Sequence, residues 1–224
     1  MAALVDASVR GNVKKIDRLV EAGVDVNAQG EEGWTALGFA MLSGSKKGYK
    51  RLLELGADPD SPISGMPAAR WVTGLAAQGK DIYWLEQAIA HGADVNLKSE
   101  LDWSKTAIFL AISGLYEANI DLLIKAGADL DSLSKSGHTP LTFAVMNGQY
   151  KLAYRFLELG ADWRIKHPSR GFNTVLWNIN DHYQGTTALR SGEGWDYFLK
   201  IITWLREHGA EMPPGLPDEA GPSE

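Results

Sequence analysis

Residues 137–162 open with Gly137-His138-Thr139-Pro140-Leu141-Thr142-Phe143-Ala144-Val145-Met146-Asn147-Gly148 and close with Gly160-Ala161-Asp162. Gly137-His138 suits a turn. Thr139 can cap a helix, and Pro140 then falls at the first helical position, where its missing N–H costs nothing. Leu141, Ala144 and Val145 form a short apolar face, and Gly148 supplies a left-handed stop. Leu152, Ala153, Phe156 and Leu157 lie at helical spacing on a second helix, which Gly160 closes. Two such short helices cannot bury both apolar faces by themselves, so the pair needs neighbours of the same build.

Those neighbours are in the chain. The closing phrase recurs as Gly23-Val24-Asp25, Gly56-Ala57-Asp58, Gly92-Ala93-Asp94, Gly127-Ala128-Asp129 and Gly209-Ala210-Glu211. Successive glycines are 33, 36, 35, 33 and 49 residues apart. A period near 33 predicts stacked units rather than one closed core. The first-helix segment recurs as Thr35-Ala36-Leu37-Gly38-Phe39-Ala40, Trp71-Val72-Thr73-Gly74-Leu75-Ala76 and Thr106-Ala107-Ile108-Phe109-Leu110-Ala111. Six units follow, at about 1–28, 29–61, 62–97, 98–132, 133–165 and 166–211, the first acting as a cap with Asp6, Arg10, Lys14 and Lys15 turned to water. Pro62 and Pro67 predict a bulge over Pro59 to Arg70. The long last interval predicts an inserted loop around Asn180 to Trp195, where Gly185, Gly192 and Gly194 suit irregular chain. Residues 212–224, rich in proline and acidic side chains, read as a disordered C-terminal tail.

Thr139-Pro140-Leu141-Thr142-Phe143-Ala144 with Gly160-Ala161-Asp162, and Gly92-Ala93-Asp94-Val95-Asn96, resemble the ankyrin repeat over about residues 2–211. The resemblance implies an all-α, ankyrin-type helix-turn-helix solenoid of about six repeats with capping ends. It further implies projecting hairpin-like loops, and a concave face of loop tips and first helices that binds other proteins without catalysis. One departure is clear. The family commonly has His after the Leu of the first helix, and here Gly38, Gly74, Phe109 and Thr142 stand there, so its hydrogen bonds need other donors. Carried over by motif, the partner-binding positions are Glu31, Glu32, Trp34, Leu42 and Ser43, then Asp102, Trp103 and Lys105, then Lys135, His138, Met146 and Asn147, then Arg170 and Phe172. Trp163 joins them because Trp34, Trp103 and Trp163 fall in or beside inter-unit loops, where an indole that faces water makes a good anchor. The row is acidic at its start and basic at Lys135, Lys166 and Arg170, which predicts a partner with the matching split.

Composition narrows the function. The chain has 224 residues, is 45% hydrophobic and carries a formal net charge of −6. No overall basic footprint points to nucleic acid. With no cysteine, disulfides, thiol catalysis and thiolate zinc sites are out. No apolar run approaches the roughly 18 residues of a membrane helix. His91 and His208 precede closing glycines and read as helix-end residues. His182 beside Asp181, with Ser191 following, lacks a nucleophile elbow and an oxyanion site. No catalytic residue, metal ligand or cofactor is assigned. The expectation is a non-catalytic protein-binding module that is monomeric on its own. It would be soluble and cytoplasmic, or periplasmic if a signal peptide has been removed. In its concrete form, motivated by plain, divergent repeats like those of bacterial ankyrin proteins, it is an inhibitor or immunity-type protein that occludes a toxin or enzyme. Two alternatives are an enzyme or small-ligand protein using the 180–195 insertion, and a structural array that self-associates.

Overall fold

The computed structural model describes residues 1–30, 33–63, 70–98, 106–185 and 191–217. Two compact units divide the chain, Met1–Ala128 and Asp129–Glu224. In the first, helices pair as α1 (Ala2–Val9) with α2 (Val13–Glu21), α3 (Ala36–Leu42) with α4 (Lys46–Glu54), α5 (Val72–Gln78) with α6 (Tyr83–Ala90), and α7 (Ala107–Gly114) with α8 (Glu117–Lys125). In the second, α9 (Pro140–Met146) pairs with α10 (Tyr150–Glu158), and α11 (Thr174–Gly185) precedes α12 (Gly192–Glu207). Strands β1 (Pro62–Ile63) and β2 (Arg70–Trp71) pair antiparallel, so the expected bulge is the base of a hairpin.

Each residue of the repeated phrase has a distinct task. The glycines Gly23, Gly56, Gly92, Gly127, Gly160 and Gly209 all take positive φ, between 82° and 91°, which a side chain resists. The next N–H then reaches back five residues, as from Ala57 to the Leu52 carbonyl at 2.9 Å and from Ala161 to the Phe156 carbonyl at 3.0 Å. That closes the free carbonyls of the second helix. The aspartate makes an Asx turn: Asp25, Asp58, Asp94, Asp129 and Asp162 each accept the N–H two residues on, at 2.8–2.9 Å.

The fifth position ties one repeat to the next. Asn27 Nδ2 donates to the Gly56 carbonyl at 3.2 Å, and its Oδ1 accepts the Asp58 N–H at 2.8 Å. Asn96 Nδ2 donates to the Gly127 carbonyl at 3.0 Å. Asp60 and Asp131 only accept, from the Asp94 N–H at 2.6 Å and the Asp162 N–H at 2.7 Å. Burial pushes the Asp60 carboxyl above its ordinary range, against the Asp94 N–H and the nearby Thr73 hydroxyl, which pull it down. A carboxyl whose folded-state value is raised contributes most below its unfolded value, and loses that contribution as pH rises through the folded one. Asp60→Asn removes the charge and supplies the donor that Asn27 and Asn96 already have. It should raise stability by about 1 kcal/mol at neutral pH and by less in acid. Urea denaturation at both pH values checks this; an equal gain at both would contradict it.

Packing is closest where α4 meets α1. The Ser45 hydroxyl, at the N-cap of α4, donates to the Ser8 carbonyl at 2.6 Å, and Gly48 lies against the same carbonyl. Farther along the unit, buried Asn119 on α8 donates to the carbonyls of Ala77 and Gly79, at 2.9 and 2.7 Å, and so caps α5. In the second unit, Phe156, Leu157, Val145, Ile179, Ile201 and Leu205 are fully buried. The expected irregular loop over 180–195 is a correction: α11 runs through Gly185 and α12 starts at Gly192, so the long interval mainly lengthens two helices. Residues 186–190, within it, lie outside the described residues. Of the tail, 218–224 lies outside as well, and Leu216 is buried.

Candidate functional site

In the first unit, Glu31, Glu32, Asp102, Trp103 and Lys105 lie outside the described residues. Trp34 does not face water: it is 8% exposed, 5.4 Å ring to ring from Phe39. A methyl group on Gly38 would come within 3.0 Å of its indole, and one on Gly74 within 2.8 Å of Trp71. The bare glycines that replace the family's His therefore make room for a tryptophan to lie on the helix. Leu42, 57% exposed, and Ser43 stay open at the end of α3.

In the second unit the same helix position holds Thr142. Its hydroxyl pairs with those of Thr139 at 3.1 Å and Thr174 at 2.9 Å, which answers the missing His with a chain of hydroxyls. His138, the counterpart of Trp34, is half-buried. Trp163 is a second correction. It is 7% exposed, with the Arg164 guanidinium 4.8 Å above its ring. It stands three residues after Gly160, a position that holds buried Pro59 and Val95 and partly covered Val26 and Leu130 in other phrases.

A row of rings does reach the surface in this unit. His138 lies 6.2 Å from His167, His167 5.4 Å from Phe172, and Phe172 5.5 Å from Trp177, centroid to centroid. Trp177 is 47% exposed, and Phe172, His167 and His138 are partly covered. Two hairpins carry the first three rings, and α11 carries Trp177. One is closed by the Ser134 N–H on the His138 carbonyl at 2.9 Å, the other by the His167 N–H on the Phe172 carbonyl at 2.8 Å. Their tips touch, since a methyl group on Gly137 would meet Pro168 at 2.8 Å and His167 at 3.0 Å. Burial, His167 and Arg170 together push the His138 imidazole below its ordinary value. Lys135, Asn147 and Arg170 are exposed on this unit, and Met146 is 38% exposed at the end of α9.

Trp177 was not among the positions carried over. It follows the cap Asn173, whose Oδ1 accepts the Leu176 N–H at 2.9 Å as Thr139 Oγ1 accepts the Thr142 N–H at 3.2 Å. Aligning those caps puts Trp177 level with Phe39 and Phe143, and that register was the signal available in the sequence.

The three histidines outside the row have structural partners. His91 and His208 donate through Nδ1 to the carbonyls of Gln87 and Trp204, at 2.8 and 2.7 Å. His182 Nδ1 is hydrogen-bonded to the Tyr150 hydroxyl at 2.8 Å, and burial pushes that phenol up to about 12. Asp181 and His182 are consecutive on a helix, so their side chains diverge and the carboxylate does not orient the ring. A cavity of about 310 Å³ in the first unit is lined by Val13, Lys46, Lys47, Lys50, Arg51, Glu54 and Tyr83. Two of its cations are committed: Lys46 to Asp81 at 2.7 Å, and Arg51 to Asp17 at 2.6 Å and Glu54 at 3.0 Å. Among the described residues, no group of His, Asp or Glu could hold a metal ion, and no helix is long and apolar enough to cross a membrane.

Paired short helices, glycine-closed and tied by a side-chain ladder, define a tandem helix-turn-helix repeat protein. The comparisons with known proteins agree. Residues 74–167 and 4–49 match family models described as ankyrin repeats, in three and in many copies. The chain belongs to the ankyrin-repeat family, and its fold is the all-α ankyrin-type solenoid. It is 30% identical over 146 residues to a mitochondrial disaggregase of Bos taurus, covering 64% of this chain and 21% of that one. It thus spans about a fifth of the length of that curated relative and of its human counterpart. A crystal structure of an ankyrin repeat domain from Acinetobacter baumannii AYE aligns with TM-score 0.70 at 20% identity, over 89% of this chain and 97% of that one. The ankyrin repeat domain of Bcl-3, a member of the IkappaB protein family, aligns with TM-score 0.71 at 22% identity, over 93% and 86%. Ankyrin repeats generally mediate protein–protein interaction, and the fold is typically a non-catalytic binding scaffold.

Proposed function

We propose that this chain binds another protein, without catalysis of its own, through the ring row of its second unit. The supporting observation is Trp177, a large aromatic side chain nearly half exposed at the end of the continuous row of His138, His167 and Phe172. Exposed aromatic clusters with a polar rim are the usual anchors of protein interfaces, because they bury large area at small entropy cost. In its specific form, the partner is an enzyme or toxin whose working surface the array covers, in the manner of an inhibitor or immunity protein.

Capture from the source cell's extract, with wild type and Trp177→Ala in parallel, tests the binding role. The truncation should weaken capture of the specific partner by about thirtyfold, the equivalent of about 2 kcal/mol for an anchoring aromatic, with an unchanged melting temperature. Identical capture by both proteins would refute the ring row as the binding face. An activity of the captured partner that is unaltered at equimolar ratio would refute the inhibitory role alone.

A further inference from the structure

The hairpins that carry the ring row are charged with one sign. Residues 132–139 and 163–173 contain Lys135, Arg164, Lys166 and Arg170 and no aspartate or glutamate, in a chain of formal net charge −6. Arg164 is occupied, stacked on Trp163 and 3.7 Å from Asp162. Lys135, Lys166 and Arg170 are exposed and have no ion-pair partner among the described residues. In the first unit's cavity, carboxylates already hold two of the four cations, Lys46 and Arg51, and leave Lys47 and Lys50. The free cations also border the rings. Lys166 bridges to Asn173 across the hairpin that bears His167 and Phe172, Arg170 is near enough to shift His138, and Lys135 is three residues from His138.

We propose that the segment this face receives is acidic: a stretch of partner polypeptide whose aspartates and glutamates meet Lys135, Lys166 and Arg170 while apolar side chains cover Phe172 and Trp177. This deepens the protein-binding reading and rests on it. Three uncompensated cations around a half-exposed apolar row attract a negative segment from a distance and fix its register. They repel a basic one, in a chain that is otherwise acidic and would attract it.

Selection of random 12-residue peptides displayed on phage, against the full chain, tests this. Peptides recovered by wild type should be enriched in Asp and Glu together with Leu, Phe or Trp. Their affinity should fall about tenfold or more in the charge-reversed Lys135→Glu/Lys166→Glu/Arg170→Glu variant, and fall again between low and physiological salt. Neutral or basic recovered sequences, or affinities that the reversal leaves unchanged, would overturn the acidic assignment. So would tighter binding of a mixed-sequence, fluorescein-labelled single-stranded RNA than of any recovered peptide. Trp177→Ala separates the two claims. Peptides that depend on Trp177 but ignore charge reversal would remove the acidic segment and leave the binding face standing. Peptides indifferent to both changes would remove both.

Discussion

Gly48→Ala should lower the unfolding free energy by about 3 kcal/mol, at the upper end of what an inserted methyl costs in a packed interior. The added carbon would lie 2.1 Å from the Ser8 carbonyl oxygen, 2.9 Å from its carbonyl carbon and 2.8 Å from the Ser45 hydroxyl. Two of those atoms are backbone and cannot rotate away. The third already donates to the Ser8 carbonyl at 2.6 Å and accepts the Gly48 N–H at 3.3 Å, so moving it breaks both bonds and leaves that carbonyl only the Gly11 N–H. Alanine gains about 1 kcal/mol over glycine inside a helix, which works the other way. The clash wins, because relieving it requires α1 and α4 to separate by about an ångström along their contact. Urea denaturation with far-ultraviolet circular dichroism measures the change. An unchanged or raised midpoint would mean that these helices do not meet as described.

Trp34→Ala should be at least as costly, at about 3–5 kcal/mol, and should act on folding rather than on binding. The indole is 92% covered, held between Phe39 and the bare backbone at Gly38. Truncation leaves a void against a helix that has no side chain at that point to fill it. The paired change Trp34→Ala/Gly38→Leu should recover part of the loss, because the leucine occupies the vacated space. No recovery would place the indole's contribution elsewhere than on this helix.

The repeat was legible because its signals are local. Glycine at positive φ, the aspartate two places later and the side-chain caps at Thr35, Thr139 and Asn173 all act within a few residues. Asn96 stands in the repeated phrase, but the purpose of the ladder residues Asn27, Asp60, Asn96 and Asp131 is not legible there, since each bonds a residue 29 to 34 positions away. The tryptophans were the harder problem. Trp34 and Trp163 look alike in sequence as loop aromatics, and both are buried, Trp34 against the bare backbone of Gly38 and Trp163 beneath the Arg164 guanidinium. Trp177 carries no motif signal of its own, and its place is set by cap alignment in a repeat whose helices are lengthened. Propensity and spacing fix where helices start and stop. Which face of an aromatic meets water is decided by side-chain packing, which propensity and spacing do not encode.

The most direct measurement sets Trp34→Ala and Trp177→Ala side by side, each assayed for unfolding free energy and for capture of the partner below its melting temperature. Opposite profiles are predicted. Trp34→Ala should lose stability and keep its partner, and Trp177→Ala should keep stability and lose about thirtyfold in affinity. If Trp34→Ala abolishes capture while still folded, or Trp177→Ala unfolds the chain and spares capture, the assignment of one indole to the core and the other to the binding face is contradicted.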